Sequence, residues 1–185
     1  MVRDTQLDLA TSRLQGEIGA YVLEGEQWLP LPLNDVFPFF ADATNLQAIT
    51  PPWLRFHVLT PEPIPMRVGQ HIDYRLRVRG VPLRWQSEIT AWNPPHRFVD
   101  EQRRGPYKRW HHEHMFMERG GGTVIFDRVE YALYGGPLAP LVHTLIVRSD
   151  VERIFRFRGE AIERALLEDR GASPGGNLRP ARSPA

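Results

Sequence analysis

From Leu54 onward, hydrophobic and polar positions alternate with a period of two. Ile72, Tyr74, Leu76 and Val78 interleave with Asp73, Arg75, Arg77 and Arg79. That pattern predicts an antiparallel strand with one buried and one solvated face. Gly80-Val81 predicts a two-residue hairpin turn with glycine first. Pairing Arg79 with Pro82 then sets Leu76 opposite Trp85 and Tyr74 opposite Ser87. The returning strand runs to about Trp92, and Asn93-Pro94-Pro95-His96 turns into a strand over Arg97 to Arg103. Arg104-Gly105-Pro106 leads into Tyr107 to Glu118, and Gly120-Gly121-Gly122 into Thr123 to Tyr134. Earlier in the chain, Ile18 to Leu29 reads as the first strand. A short helix follows, ending near Phe40 because Pro38 removes a backbone donor. A second short helix lies between Thr44 and the stop at Thr50-Pro51-Pro52.

After Gly135-Gly136-Pro137 the period changes. Leu138, Leu141, Val142, Leu145, Val151, Ile154, Phe155, Ile162, Ala165 and Leu166 recur at steps of three and four, which predicts a helix to about Glu168. Glu152 with Arg156 and Glu160 with Arg164 are i,i+4 pairs on its other side. Ser149-x-x-Glu152 matches a capping box, so a break is expected near Ser149.

This order predicts an α+β fold: a curved, seven-stranded antiparallel sheet wrapped round a long C-terminal helix, with two short helices between the first two strands. A sheet too curved to lie flush against one helix leaves a cavity. Residues 17–169 form the expected domain. Residues 1–16 read as an N-terminal extension, expected to be loose. Arg170 to Ala185 has three Gly, three Pro and little apolar surface, and is expected to be a disordered tail.

Composition narrows the function classes. The 185 residues suit one domain. With no cysteine, disulfides, thiolate metal sites and cysteine nucleophiles are excluded. No apolar run is long enough to span a membrane, and no signal-peptide core precedes the first strand, so a cytoplasmic location is expected. The net charge is only +1, and of the 23 basic residues three (Arg170, Arg179, Arg182) lie in the tail, leaving 20 against 22 acidic ones. That argues against a nucleic-acid partner, and the Arg75/Arg77/Arg79 stripe reads as a solvated sheet face. There is no phosphate loop, dinucleotide fingerprint or nucleophile elbow.

The densest polar cluster is Trp110-His111-His112-Glu113-His114-Met115-Phe116. Alternation puts Trp110, His112, His114 and Phe116 on one face. Pairing Glu118 with Thr123 sets Phe116 opposite Ile125, His114 opposite Asp127, His112 opposite Val129 and Trp110 opposite Tyr131. Asp127 is then within hydrogen-bonding reach of His114, whose proton affinity it raises. Three readings compete. One is a buried polar network beneath a ligand. Another is general acid–base catalysis by His114, Asp127 and His112. The third is a metal site with Asp127 as third ligand. No metal and no cofactor is assigned. The faces of Asp100, Glu101 and Gln102 stay open, because the turn after them allows two registers.

The pattern resembles the START-like, or Bet v 1-like, helix-grip superfamily, and within it the bacterial polyketide cyclase/dehydrase-like ligand-binding subfamily. The matching stretches include Ile49-Thr50-Pro51-Pro52-Trp53-Leu54-x-Phe56, Gly80-x-Pro82-Leu83-x-Trp85, Trp92-x-Pro94-Pro95 and Phe98-Val99-Asp100-Glu101-Gln102. They continue through Gly105-Pro106-Tyr107-x-x-Trp110-x-His112-x-His114-x-Phe116, Asp127-x-Val129-x-Tyr131 and Ile154-Phe155-x-Phe157-Arg158. Tyr134 departs from the proline expected there. The resemblance implies a cavity for a small hydrophobic or amphipathic ligand (a lipid, polyketide, quinone or similar). It supplies no agreed catalytic set. Tyr74, Trp85, Glu101, Trp110, His112, His114, Phe116, Asp127 and Tyr131 are the expected ligand-binding residues. The alternative is a cyclase/dehydratase or isomerase-type enzyme using the His–Asp pair. The expected partner is the small ligand, with no nucleic acid and no membrane span; a homodimer is compatible with the sequence.

Overall fold

The computed structural model describes residues 5–168. Eight strands form one antiparallel sheet in the order β1-β2-β8-β7-β6-β5-β4-β3. They are β1 (Asp8–Arg13), β2 (Ala20–Leu29), β3 (His57–Val58), β4 (His71–Val78), β5 (Val81–Asn93), β6 (Arg97–Arg104), β7 (Arg109–Arg119) and β8 (Gly122–Ala132). Helix α1 (Leu33–Phe40) and two 3₁₀ turns, Ala43–Gln47 and Pro52–Leu54, bridge β2 and β3. The expected tail from Arg170 lies outside the described residues.

The sheet has eight strands rather than seven. The additional one is β1, in the segment expected to be loose. It pairs with β2 from Asp8↔Glu26 to Arg13↔Tyr21. Its short alternation gave little sign of a strand, since only Leu9 is a large apolar residue. Its order comes from tertiary contacts. The Gln27 side-chain amide donates to the carbonyls of Thr5 and Gly159, and Thr11 donates to Glu152. A Cβ at Gly159 would stand 2.9 Å from the Leu7 side chain, so glycine lets this N-terminal segment lie on the long helix.

The β7–β8 register is as expected, with His114 opposite Asp127 and Trp110 opposite Tyr131. The β4–β5 register is not. Val78 pairs with Val81, which puts Leu76 opposite Leu83 and Tyr74 opposite Trp85. The two turn residues are Arg79 and Gly80, at φ 50 and 83. A turn with positive φ at both central positions matches the twist of the strands, and arginine there accepts the left-handed conformation. The slip is by two residues in pairing, so each side chain keeps its face.

The C-terminal segment is helical from α2 (Ala139–Val142) through a π turn (His143–Val147) and α3 (Arg148–Glu163) to a second π turn (Arg164–Glu168). The irregularity therefore precedes Ser149. The Ser149 hydroxyl donates back to the Ile146 carbonyl, and Glu152 pairs with Arg148 and Arg156, so no capping box forms. Val151, Phe155, Ala161 and Ile162 are buried on the sheet side of α3.

Two apolar clusters pin the helix at its ends. Phe37, Phe98, Phe116, Ile125, Ile162 and Leu166 close one end. Tyr21, Leu23, Val129, Tyr131, Val151 and Phe155 fill the strip over β2 and β8. Burial of such side chains stabilises by about 1.5–3 kcal/mol each. Strands β4 and β5 curve away from α3, and the space between them is not filled.

Candidate functional site

A cavity of about 430 Å³ lies between the sheet and α3. Apolar side chains from four directions line it, among them Leu46 and Leu54 from the turns, Ile72 and Leu76 from β4, and Ile154 and Phe155 from α3. Trp85, Tyr107 and Trp110 form an aromatic corner on one wall. The Trp85 and Trp110 rings meet edge to face at 5.3 Å, and Tyr107 lies 4.8 Å from Trp110.

Polar groups gather on the sheet wall. His112 and His114 project from β7 between Asp100 of β6 and Asp127 of β8, and all but Asp100 are buried. His112 Nε2 is 3.1 Å from Asp127 Oδ1, and His114 Nε2 is 3.3 Å from Asp100 Oδ2. His114 Nδ1 approaches Asp127 Oδ1 to 2.7 Å but off the line of a hydrogen bond, so that contact is ionic. The network continues outward. Ser87 Oγ donates to Asp100 Oδ1, and Trp85 Nε1 donates to Ser87 Oγ.

The four groups titrate as one unit. Burial pushes the Asp127 carboxyl up, but the charge of His114 beside it and the hydrogen bond from His112 outweigh it and hold Asp127 well below the usual carboxylate range. Asp100 is also lowered, its burial offset by the His114 hydrogen bond and the charge of both imidazoles. Burial lowers the proton affinity of His114, yet the Asp127 charge and the Asp100 hydrogen bond raise it above the ordinary value. His112 goes the other way, lowered by burial and then by its neighbour His114. The two ring centroids are 3.8 Å apart, so a charge on His114 disfavours a second one on His112.

Of the expected ligand-binding residues, Tyr74, Trp85, Trp110, His112 and His114 border the cavity. Asp127 sits behind the imidazoles. Phe116 packs among Phe37, Phe40 and Phe98 in the core. Tyr131 is buried outside the cavity, its hydroxyl bonded to His143 Nε2 at 2.8 Å. Glu101 is a correction. It faces the opposite side of the sheet, where it pairs with His111 and Arg103. Asp100 takes the inner position instead, because the turn between β6 and β7 sets Asp100 opposite His112 and Glu101 opposite His111.

Asp100 and Arg158 are the site residues that sequence reasoning missed. Arg158 lines the cavity from α3, its guanidinium 5.5 Å from the Phe155 ring centre. Among the described residues it has no carboxylate partner. A signal for it was present: Arg158 lies four residues from both Ile154 and Ile162, so it interrupts the apolar stripe.

Residues 29–157, more than half of the chain, match the family described as polyketide cyclase/dehydrase and lipid transport. The chain belongs to this family. The fold of this polyketide cyclase/dehydrase member is shared with solved structures of low sequence identity. Protein Ms6760 from Mycobacterium smegmatis superposes with a TM-score of 0.62 at 18% identity, covering 88% of this chain and 99% of that one. TTHA0849 from Thermus thermophilus gives 0.55 at 20% identity, with 78% and 98% covered. The major latex-like protein 151 of Panax ginseng gives 0.58 at 13% identity, with 80% and 99% covered. No curated protein matches the sequence. As in the sequence-based expectation, the fold is that of the Bet v 1-like helix-grip superfamily. Among the described residues no helix is long and apolar enough to cross a membrane.

Proposed function

We propose that this protein binds one small hydrophobic or amphipathic molecule, of the lipid, polyketide or quinone kind, between the sheet and α3. The observation that carries this reading is the distribution of polarity in the cavity. Most of its lining is apolar, while Ser87, Asp100, His112 and His114 form one polar cluster on the sheet wall and Arg158 enters from α3. A volume of about 430 Å³ falls in the range of pockets that enclose a small organic ligand. Such a ligand would bury its apolar body against Ile72, Leu76, Trp85, Trp110 and Phe155. Its oxygen-bearing end would meet the polar wall. The family description, which joins cyclase chemistry to lipid transport, supports a ligand of this class.

The test is native mass spectrometry and solvent extraction of the full chain purified from its host, followed by titration with an apolar fluorescent probe. The expected result is a single organic molecule per chain, or probe uptake that a Leu76→Trp substitution blocks by filling the cavity. A protein that is empty and takes up no apolar probe overturns the reading.

A further inference from the structure

His112 and His114 present all four ring nitrogens to carboxylates. His112 turns Nε2 to Asp127 Oδ1 and Nδ1 to Asp100 Oδ2, the latter at 3.5 Å. His114 turns Nδ1 to Asp127 Oδ1 and Nε2 to Asp100 Oδ2 at 3.3 Å. The two carboxylates are not equivalent. Asp100 borders the cavity and Asp127 does not.

Donors bound tetrahedrally at about 2.0–2.2 Å from an ion stand roughly 3.3–3.6 Å from one another. The separations of 3.5 and 3.3 Å from Asp100 Oδ2 to the two nitrogens fit that geometry. A donor atom from each of Asp100, His112 and His114 lies within 4.8 Å of the other two. We propose that Asp100 Oδ2, His112 Nδ1 and His114 Nε2 bind a divalent transition-metal ion of the zinc type, with its remaining coordination positions facing the cavity.

Three further observations support the site. Metal-bound imidazoles hand their second nitrogen to an outer carboxylate, which fixes the ring and its tautomer. Asp127 stands in that place for His112, whose Nε2 hydrogen-bonds to it, and meets His114 Nδ1 in an ionic contact at 2.7 Å. A ligating carboxylate is itself held by a hydrogen bond, and Ser87 supplies one to Asp100, backed by Trp85. The third observation is charge. Among the described residues, neither Asp100 nor Asp127 has a Lys or Arg in hydrogen-bonding contact, so a dication that displaces the imidazole proton balances the two carboxylates. Two nitrogens and one oxygen suit zinc, iron(II), cobalt(II) or nickel(II) better than calcium or magnesium, which favour all-oxygen sets. Three protein ligands leave an open position, so the oxygen-bearing end of a cavity ligand could complete the coordination.

The site does not depend on an organic ligand, and it is tested with metal alone. The full chain without a His tag is stripped with a chelator and titrated with cobalt(II). Zinc(II) is then titrated by calorimetry. The expected result is one equivalent bound, with the visible bands of four- or five-coordinate cobalt. Asp100→Asn and His114→Ala should weaken binding by more than about 100-fold, and Asp127→Asn, one shell out, by about 10–100-fold. His111→Ala, on the opposite face of β7, should bind as the wild type does. Near-UV circular dichroism checks each variant's fold. If His114→Ala is misfolded, Asp100→Asn at the cavity wall decides. Failure of the folded wild type to take up stoichiometric cobalt or zinc overturns the site, as does binding that Asp100→Asn leaves intact. Uptake of the apolar probe by metal-free protein separates this outcome from failure of the proposed ligand-binding function.

Discussion

Arg79, at the tip of the β4–β5 hairpin, grips Asp150 in the first turn of α3 with two hydrogen bonds, Nε to Oδ2 at 2.8 Å and Nη2 to Oδ1 at 3.0 Å. The hairpin and the helix are opposite walls of the cavity, and Asp150 lies on its lining. This pair ties the two walls together at the hairpin end of the cavity. Exposed ion pairs add little to global stability. Arg79→Ala should therefore leave the thermal midpoint nearly unchanged and raise the dissociation rate of an apolar probe severalfold. Stopped-flow displacement measures that rate, and an unchanged value would show that entry lies elsewhere.

Arg158 should select among ligands by charge. Its guanidinium lines the cavity and forms no ion pair with a carboxylate among the described residues, acting on Asp100 only through space. An apolar acid should bind the wild type more tightly than the alcohol of equal chain length. Arg158→Gln should cancel or reverse that preference with little change in the unfolding midpoint. Paired titrations with the two probes read the ratio directly.

Asp127 holds the polar wall together from behind. Removing one partner of a buried charge network costs about 3–5 kcal/mol. Asp127→Ala should lower the free energy of unfolding in denaturant by about that amount. Glu101→Ala, on the solvated side, should lower it by less than about 1 kcal/mol. Equal losses would mean that the network adds nothing beyond an exposed pair.

His143 should shape acid stability. It is stacked on Tyr21 at 3.3 Å, and its Nε2 is hydrogen-bonded to the Tyr131 hydroxyl at 2.8 Å. Burial, and then the Arg148 charge, lower its pKa from 6.5 to about 4. Between those values the unfolded chain binds a proton that the folded one does not. The contribution is intact above about pH 6.5 and drains away as the pH falls towards 4. His143→Phe keeps the stacking and removes the titration. It should lower stability at neutral pH, because the Tyr131 hydroxyl loses its partner, and flatten the slope across that window. Denaturant midpoints at stepped pH would show it, and parallel slopes for both proteins would refute it.

What could be read from the chain followed how tightly local chemistry fixes a count. The Gly120-Gly121 turn leaves one way to pair β7 with β8, so the placement of His114 opposite Asp127 was legible. The face of Asp100 was not, because the turn from β6 into β7 allows two registers and only the tertiary pairing sets Asp100 opposite His112. Strand β1 was illegible for another reason. An edge strand with few apolar residues is ordered by what it lies on, here Gly159 and Gln27, which are distant in sequence. The helix break was misplaced because Ser149 and Glu152 satisfy a pattern that their tertiary partners override.

The π turn at His143–Val147 has a consequence for how the chain tolerates change in length. Such a turn is a helix carrying one residue more than an α-helical turn needs. Deleting a residue there would restore regular winding and swing α2 by about 100° relative to α3. His143 would leave Tyr131, and Val142 and Ile146 would leave the cavity lining, while the apolar stripe of α3 stayed in place. The turn therefore works as a phase adjuster. Insertions and deletions at this one point can re-index the rim of the pocket without disturbing the domain beneath it.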